Sequence, residues 1–499
     1  MQRILCKYLI ADPDRLRDGV ISDAALIIDG GRVLAAGPAW QLQQEFGHLP
    51  TFGDPEGWLA LPGLVNAHHH GRGLSTVALG IDDAPLEFWL PALLGARHPD
   101  IYANTAYAAA LMLRAGVTTS IHSHAGGGTA QAYRASVEDA LRAYHNVGVR
   151  VALAMGIADQ QLLAYHPDAS LMEEAPKPVR AHVARWFDLA RPYIDTGDYF
   201  GLFDAIREQC GEGRPYPRAT VMLNPRGPQW ATDDLLEQVG SRARLTGAGV
   251  HLHLLETPLQ RMAAFRRWQT SAVEALDRLG VLGPRTSVAH AIWLDEADID
   301  RLAATGTTVV TNTSSNLRLG SGLAPLHVFQ KRGVHVAIGT DSAGLFADED
   351  MWKEMRLLAA VHRISAQQSQ WLSPYDLLRM ATVVGARAAL LDGQVGRLLP
   401  GYRADITILN LKRVRTPYMD PQIDEVGLAL SLAQASDVDT VMVDGNELVR
   451  GGAFTRLDLA ALASALARSA RASEPVRREI AEILPALRAY LATVYGAWT

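Results

Sequence analysis

The hydrophobic pattern changes character twice along the 499-residue chain. Through residue 58, short apolar alternations broken by turn residues predict strands. Ala24–Asp29 and Arg32–Ala36 flank Gly30–Gly31 as a hairpin-like unit. The texture returns near the end, where Ala404–Leu411 and Thr440–Val443 read as strands and Asp444–Gly445 as the turn before Glu447–Val449. A lone hairpin is marginal, so the two ends are expected to share one small β-sandwich domain, residues 1–58 plus 399–455.

Residues 59–398 instead repeat strand, loop and helix. Buried strands are predicted at Leu59–Ala67, Val117–His122, Val149–Met155, Ala219–Asn224, Val250–Leu254, Thr286–His290, Thr307–Asn312 and Val334–Thr340. Most precede a segment of helical period, such as Leu235–Ala248 or Ala272–Leu279. This α/β repeat predicts a (β/α)8 TIM barrel with insertions. A doubly wound open sheet is the runner-up, but no GxGxxG or GxxxxGK[ST] follows any of the strands. Two segments lie outside the repeat. Ala158–Arg218 is a long insertion with helices expected around Val179–Tyr193 and Tyr199–Gln209. Leu457–Thr499 is alanine-rich and helical in period, giving a C-terminal helical extension (456–499) expected to pack on the barrel or a partner subunit.

Composition removes several function classes. With 48% hydrophobic and 20% charged residues the chain can bury a large core, which excludes a disordered tail or a disulfide scaffold. A net charge of −6 without a Lys/Arg block offers no footprint for nucleic acid or a membrane surface. No apolar run approaches the ~18 residues of a membrane span, and the N-terminal one is too short for a signal peptide. A cytoplasmic protein is expected. Two distant thiols, Cys6 and Cys210, stand against sixteen histidines, so histidine and carboxylate must hold any transition metal.

In a parallel barrel, chemistry collects at the C-terminal ends of the strands. The first strand ends Val65-Asn66-Ala67-His68-His69-His70, and on an extended backbone His68 and His70 point to one side. The fifth strand carries His251 and His253 in the same alternation, followed by Glu256. His253 lies nearer the exit, whereas His251 is expected to fill an inner layer. The sixth strand ends in His290, and the eighth releases Asp341. Each signal alone is ordinary, since an HxH pair or an acid after an apolar run is often structural. Together they bring His68, His70, His253, Glu256, His290 and Asp341 to one rim. Three imidazoles and a carboxylate suit zinc, or less specifically iron or another divalent ion.

Leu61-Pro62-Gly63-Leu64-Val65-Asn66-Ala67-His68-His69-His70 resembles the opening motif of the amidohydrolase superfamily. Leu113-Arg114-Ala115-Gly116-Val117-Thr118-Thr119 is similar to its second-strand approach, and His253-Leu254-Leu255-Glu256-Thr257 to the HxxET of its deaminase and chlorohydrolase branch. Ala289-His290, Ser315-Asn316-Leu317, Gly339-Thr340-Asp341 and Gly401-Tyr402-Arg403-Ala404-Asp405 continue the resemblance in order. The branch most resembled contains cytosine, S-adenosylhomocysteine and guanine deaminases and the s-triazine hydrolases. The resemblance implies one divalent metal ion, Zn2+ or alternatively Fe2+, on His68, His70, His253 and Asp341. It implies that His290 holds the attacking water or adds a ligand. Binuclear branches carry a bridging lysine on a middle strand, whereas Lys177 is the one lysine between residues 8 and 330 and lies in the insertion. A mononuclear site follows.

These residue types give a reaction. Asp341 takes a proton from water activated by the metal, and Glu256 protonates a ring nitrogen as the neighbouring carbon is attacked. The implied enzyme is an aminohydrolase of a pterin, purine, pyrimidine or triazine type of substrate. A same-fold hydrolase of a C–Cl, amide or cyclic amide bond is the alternative, and an inactive scaffold a third. Rival zinc designs are missing: the chain has no PCxxC, HExxH or GxSxG. Substrate contacts are expected from Trp89, His124, Arg226, Gln229 and Trp230, each with packing or a local salt bridge as the competing role. Arg226 stands where purine deaminases of the branch often carry histidine, and its rigid donors would suit a carbonyl or an acidic substituent. The resemblance also implies a homo-oligomer.

Overall fold

The apolar run across residues 59–67 forms two strands in two different sheets, not the single barrel strand its pattern predicts. Both halves are buried, so periodicity cannot register the crossing from one sheet to the other. Gly63 makes the crossing: its N–H donates to the Asp405 carbonyl at 2.9 Å. A Cβ there would lie 2.1 Å from Thr118 Oγ1, so no other residue fits without displacing the neighbouring strand.

The structure is a computed structural model that describes residues 1–96, 99–125, 127–190, 194–341 and 346–498. Its strands are, first, β1 (Gln2–Ile10), β2 (Val20–Asp29), β3 (Arg32–Pro38) and β4 (Thr51–Pro62). Next come β5 (Leu64–His69), β6 (Val117–His124), β7 (Arg150–Gly156), β8 (Ala219–Asn224), β9 (Gly249–Leu254), β10 (Thr286–His290), β11 (Thr308–Thr311) and β12 (Val336–Ile338). Last are β13 (Ile406–Asn410), β14 (Val438–Val443), β15 (Asn446–Arg450) and β16 (Ala453–Phe454).

Strands from the two chain ends form one mixed sheet in the order β16-β15-β14-β13-β4-β1-β2-β3. Ile4, Leu26 and Ile28 from the start share a single core with Ile406, Ile408 and Met442 from the end. That shared core is why neither terminal segment needs to be stable alone. The expected Gly30–Gly31 turn is present, with φ of 54° and 77°.

β5 to β12 run parallel in sequence order and form the nearly closed (β/α)8 barrel. Its seam is polar: the Asp341 N–H donates to the His68 carbonyl at 2.9 Å and the Thr340 N–H to Asn66 Oδ1 at 3.1 Å. Gly339 permits this approach, since a Cβ on it would sit 2.7 Å from that of His68. Local signals fix the helices between strands. Thr232, Ser271 and Asp295 each cap a helix through a side-chain oxygen. A buried Arg150–Asp405 pair, bonded at 3.0 and 3.1 Å and joined by Asp444 at 2.7 Å, ties barrel strand β7 to the sheet domain. Removing one partner of such a buried pair costs about 3–5 kcal/mol, because the other charge is left uncompensated.

The insertion holds helices Asp168–Glu174, Lys177–Leu189 and Thr196–Arg207. The first was not expected, and residues 191–193 of the expected Val179–Tyr193 helix lie outside the described residues. The C-terminal extension is two helices, Leu459–Ala472 and Glu474–Gly496. Its second helix packs Ile480, Leu487 and Leu491 against Leu171 and Trp186 of the insertion. The extension therefore covers the loops over the barrel mouth: Arg488 Nε donates to the Phe88 carbonyl at 3.0 Å. No helix among the described residues is long and apolar enough to cross a membrane.

Candidate metal and proton-transfer site

At the end of β5, past an irregularity between Asn66 and His69, His68 and His70 converge on one group of ligand atoms and His69 does not join them. His69 faces Glu349, whose Oε1 lies 3.1 Å from its Nε2. Ligand atoms of His68, His70 and His253 lie within 4.8 Å of one another, as do those of His68, His290 and Asp341. Asp341 Oδ1 is 3.3 Å from His70 Nε2 and 3.8 Å from His68 Nε2.

The far nitrogen of each ring is tied down. His70 Nδ1 donates to the Ser123 carbonyl at 2.8 Å, and His253 Nδ1 to the Arg226 carbonyl at 2.7 Å. Those bonds set both tautomers, so the Nε2 lone pairs face each other across 3.3 Å. Burial pushes His253 down to about 4 and His70 well below its ordinary range, so neither ring takes up a proton to relieve the repulsion. His68 Nε2 and His290 Nε2 are buried without a hydrogen-bond partner among the described residues. Orphaned nitrogens and opposed lone pairs converging beside a carboxylate fit a divalent cation. The donor set of three imidazoles and one carboxylate suits zinc.

Two residues behind the cluster complete it. His251, expected to fill an inner layer, is fully buried and holds His68 Nδ1 at 2.7 Å through its own Nε2, while its Nδ1 bonds Ser287 Oγ at 2.7 Å. It thus orients a ligand, a role that spacing alone does not separate from packing. Outer partners of this kind are worth about 10–100-fold in metal affinity, so His251→Phe should weaken zinc binding by that factor in a chelator competition titration. Unchanged affinity would mean that packing alone holds His68.

The proton-handling groups sit on the opposite side of the cluster. Ser315 Oγ donates to Asp341 Oδ2 at 2.8 Å, and Asn316 Oδ1 accepts from His290 Nδ1 at 2.8 Å. These two serve the site through side chains whose roles the motif did not reveal. Glu256 Oε2 is 3.6 Å from His290 Nε2, and Oε1 accepts from Ser321 Oγ at 3.2 Å. Burial pushes the Glu256 carboxyl up to about 7. Its position is set by its neighbour Thr257, which caps helix Pro258–Trp268, and by Gln260 Oε1, which accepts the Glu256 N–H at 2.8 Å.

Backbone strain marks the same rim. Arg226, Leu255, His290, Ala291 and Asp341, all at strand exits, have φ between 46° and 74°, a region that L residues avoid. The left-handed turns direct His290 and Asp341 across the mouth instead of along the strands.

A small cavity of about 60 Å³ opens on the cluster. Trp89, His124, Arg226 and Trp230, the candidate substrate contacts, line it together with Glu256 and His290. Trp89 is buried and its Nε1 has no hydrogen-bond partner among the described residues. His124 bonds Ser136 Oγ at 2.9 Å and stacks on Tyr133. The Arg226 guanidinium lies over the Trp230 ring, 5.3 Å from its centroid. Gln229 departs from expectation. It lines a separate cavity beside Gln260 and Trp498, because the short turn Pro228–Trp230 sends adjacent side chains in different directions. Arg72, which sequence reading passed over, lines the cluster's cavity. It stands two residues past His70, but Gly71 at φ 66° ends the extended geometry on which parity depends. Lys177, the alternative bridging group, is exposed at the start of an insertion helix.

A parallel barrel whose mouth carries a histidine–aspartate cradle beside a buried glutamic acid defines a metal-dependent hydrolase. Residues 59–448 match the Amidohydrolase family, and the chain belongs to it. It is 30% identical over 448 residues to the 5'-deoxyadenosine deaminase of Methanosarcina mazei, covering 89% of this chain and 91% of that one. A zinc-bound adenosine deaminase from Xanthomonas campestris superposes with a TM-score of 0.78 at 25% identity, over 95% and 98% of the two chains. The zinc-complexed atrazine chlorohydrolase of Arthrobacter aurescens shares the fold, with a TM-score of 0.78 at 23% identity over 94% and 100%.

Proposed function

We propose that the chain is a zinc-dependent aminohydrolase that releases ammonia from an amino-substituted nitrogen heterocycle, with adenosine derivatives the first class to test. The observation that carries this reading is the placement of Glu256: a carboxyl buried beside the ligand cluster, its Oε2 3.6 Å from His290 Nε2, and pushed up to about 7 by that burial. Deamination of a heterocycle needs such an acid, because the ring nitrogen must gain a proton as the adjacent carbon becomes tetrahedral. The adenosine class is supported by the deaminase relatives.

His68, His70, His253 and Asp341 would hold the ion. A bound divalent ion lowers the pKa of water from about 15.7 towards ~7, supplying the nucleophile at neutral pH. His290 is oriented by Asn316 to direct its Nε2 at the attacking water. Asp341, with Oδ2 fixed by Ser315, receives the water proton and returns it to the departing amine. Glu256 delivers its proton to the ring nitrogen and is restored by the proton that the added hydroxyl loses as the carbonyl forms. Trp89 and Trp230 wall the ring, and the Trp89 N–H, without a partner among the described residues, would meet an acceptor on it. Iron would serve the same donors. The two cysteines are unpaired, consistent with a cytoplasmic enzyme, and homo-oligomer formation rests on the family resemblance.

The zinc-loaded protein, presented with amino-purines and their nucleosides, pterins, cytosines and triazines, should release one ammonia per product with at least one of them. Turnover of chlorinated or amide substrates alone would contradict the reading.

A further inference from the structure

Behind Glu256 lies a second buried carboxyl that takes no part in the proton transfers. Glu87 stands in the first turn of helix Leu86–Gly95, two residues before Trp89. Its Oε1 accepts the Thr257 hydroxyl and, at 3.1 Å, the Tyr165 hydroxyl. Thr257 follows Glu256 directly in the chain. The Tyr165 oxygen accepts Gln260 Nε2 at 3.2 Å, and the other end of that amide, Oε1, holds the Glu256 N–H at 2.8 Å. Two routes therefore run from one carboxyl oxygen to the backbone of the acid. Tyr165 is fixed from behind: its N–H donates to the Tyr495 hydroxyl of the C-terminal helix at 3.2 Å, and its ring packs edge-on against Trp230. Burial pushes the Glu87 carboxyl above its ordinary range, and no cation among the described residues is paired with it. A buried acid without a cation adds little to stability. As a double acceptor, it fixes two hydroxyls in one geometry.

We propose that Glu87 is a positioning residue for the acid: by accepting both hydroxyls it locks the loop of Glu256 to the helix that carries Trp89, so that acid and cavity wall keep one spacing around the substrate ring. This rests on the aminohydrolase reading, which gives Glu256 its task, and deepens it. An acid must lie within hydrogen-bond reach of the atom it protonates. A misplacement of about 1 Å caused by a distant change can cost ~100-fold. The C-terminal extension serves the site by the same route, because Tyr495 steadies the residue that links Glu87 to Gln260.

A double-mutant cycle on the zinc-loaded, full-length protein gives the test, with kcat taken at each variant's optimum pH and substrate loss followed whatever group departs. Glu87→Met fills the space without an acceptor and should lower kcat about 10–100-fold, with KM changed less than about 3-fold and bound zinc unchanged. In the Glu256→Gln background the same change should cost less than about 2-fold, because the group being positioned is gone. Glu87→Gln keeps an acceptor oxygen and should restore most of the rate. Tyr165→Phe removes one route but keeps the ring; it should give a smaller loss, again confined to protein with Glu256, and carries the test should Glu87→Met not fold. Equal losses in both backgrounds, or Glu87→Gln as slow as Glu87→Met, would overturn the proposal. Hydrogen exchange of residues 255–260, read by mass spectrometry without turnover, should quicken in Glu87→Met and Tyr165→Phe while the barrel strands keep their rates; exchange at the wild-type rate would equally overturn it. Failure of the aminohydrolase reading appears separately, as absence of ammonia from the wild-type protein while the exchange result stands.

Discussion

Glu256→Gln should lower the rate of ammonia release by about 10²–10⁴-fold and leave bound zinc at one ion per chain. The side chain keeps its shape, and the bond from Ser321 can be retained, so the cavity should not collapse. What disappears is a carboxyl group able to give up a proton, one that burial pushes up to about 7. Glutamine offers N–H donors but cannot release one to a ring nitrogen. Metal analysis beside steady-state kinetics checks the result. Loss of metal together with activity would make Glu256 a ligand and not the acid.

Asp341→Asn should have the larger effect, about 10⁴-fold or more, because one carboxylate is asked both to bind the ion and to take the water proton. Its Oδ1 faces His70 Nε2 at 3.3 Å and its Oδ2 is held by Ser315 at 2.8 Å. An amide removes the negative charge that offsets the cation. It also turns an N–H2 toward either a lone pair or a hydroxyl donor. The backbone bond from the Asp341 N–H to His68 is untouched, so the barrel seam and the circular dichroism spectrum should be preserved. Near-normal turnover by a folded Asp341→Asn protein would refute its role as base.

Much of this arrangement is legible along the chain, for physical reasons particular to each residue. His68 and His70 are readable because their i, i+2 spacing still brings them together despite an irregularity in β5 between Asn66 and His69, and His253 and Asp341 because a parallel barrel presents strand exits on one face. Legibility ends where geometry is no longer periodic. Arg72 is hidden behind the turn at Gly71, and Gln229 is misdirected by a single turn of tight helix. The strand expected at Leu59–Ala67 spans two sheets because Gly63 lets the backbone pass Thr118. His251 looks like filler until its contact with His68 across the barrel is seen. The insertion's core is completed by helix Glu474–Gly496, nearly three hundred residues downstream. No local pattern encodes such a contact, whose burial is decided by tertiary packing. Nor does sequence announce the left-handed backbone at His290 and Asp341, since neither is glycine.

The central claim is that one metal ion, held by the cluster of His68, His70, His253 and Asp341, drives hydrolytic loss of ammonia. Titrating metal-free protein with zinc while following ammonia release from the best substrate of the heterocycle series tests it most directly. The account predicts activity that rises in proportion to bound zinc and levels off at one ion per chain. Ammonia released at full rate without metal, or a plateau at two ions per chain, would contradict it.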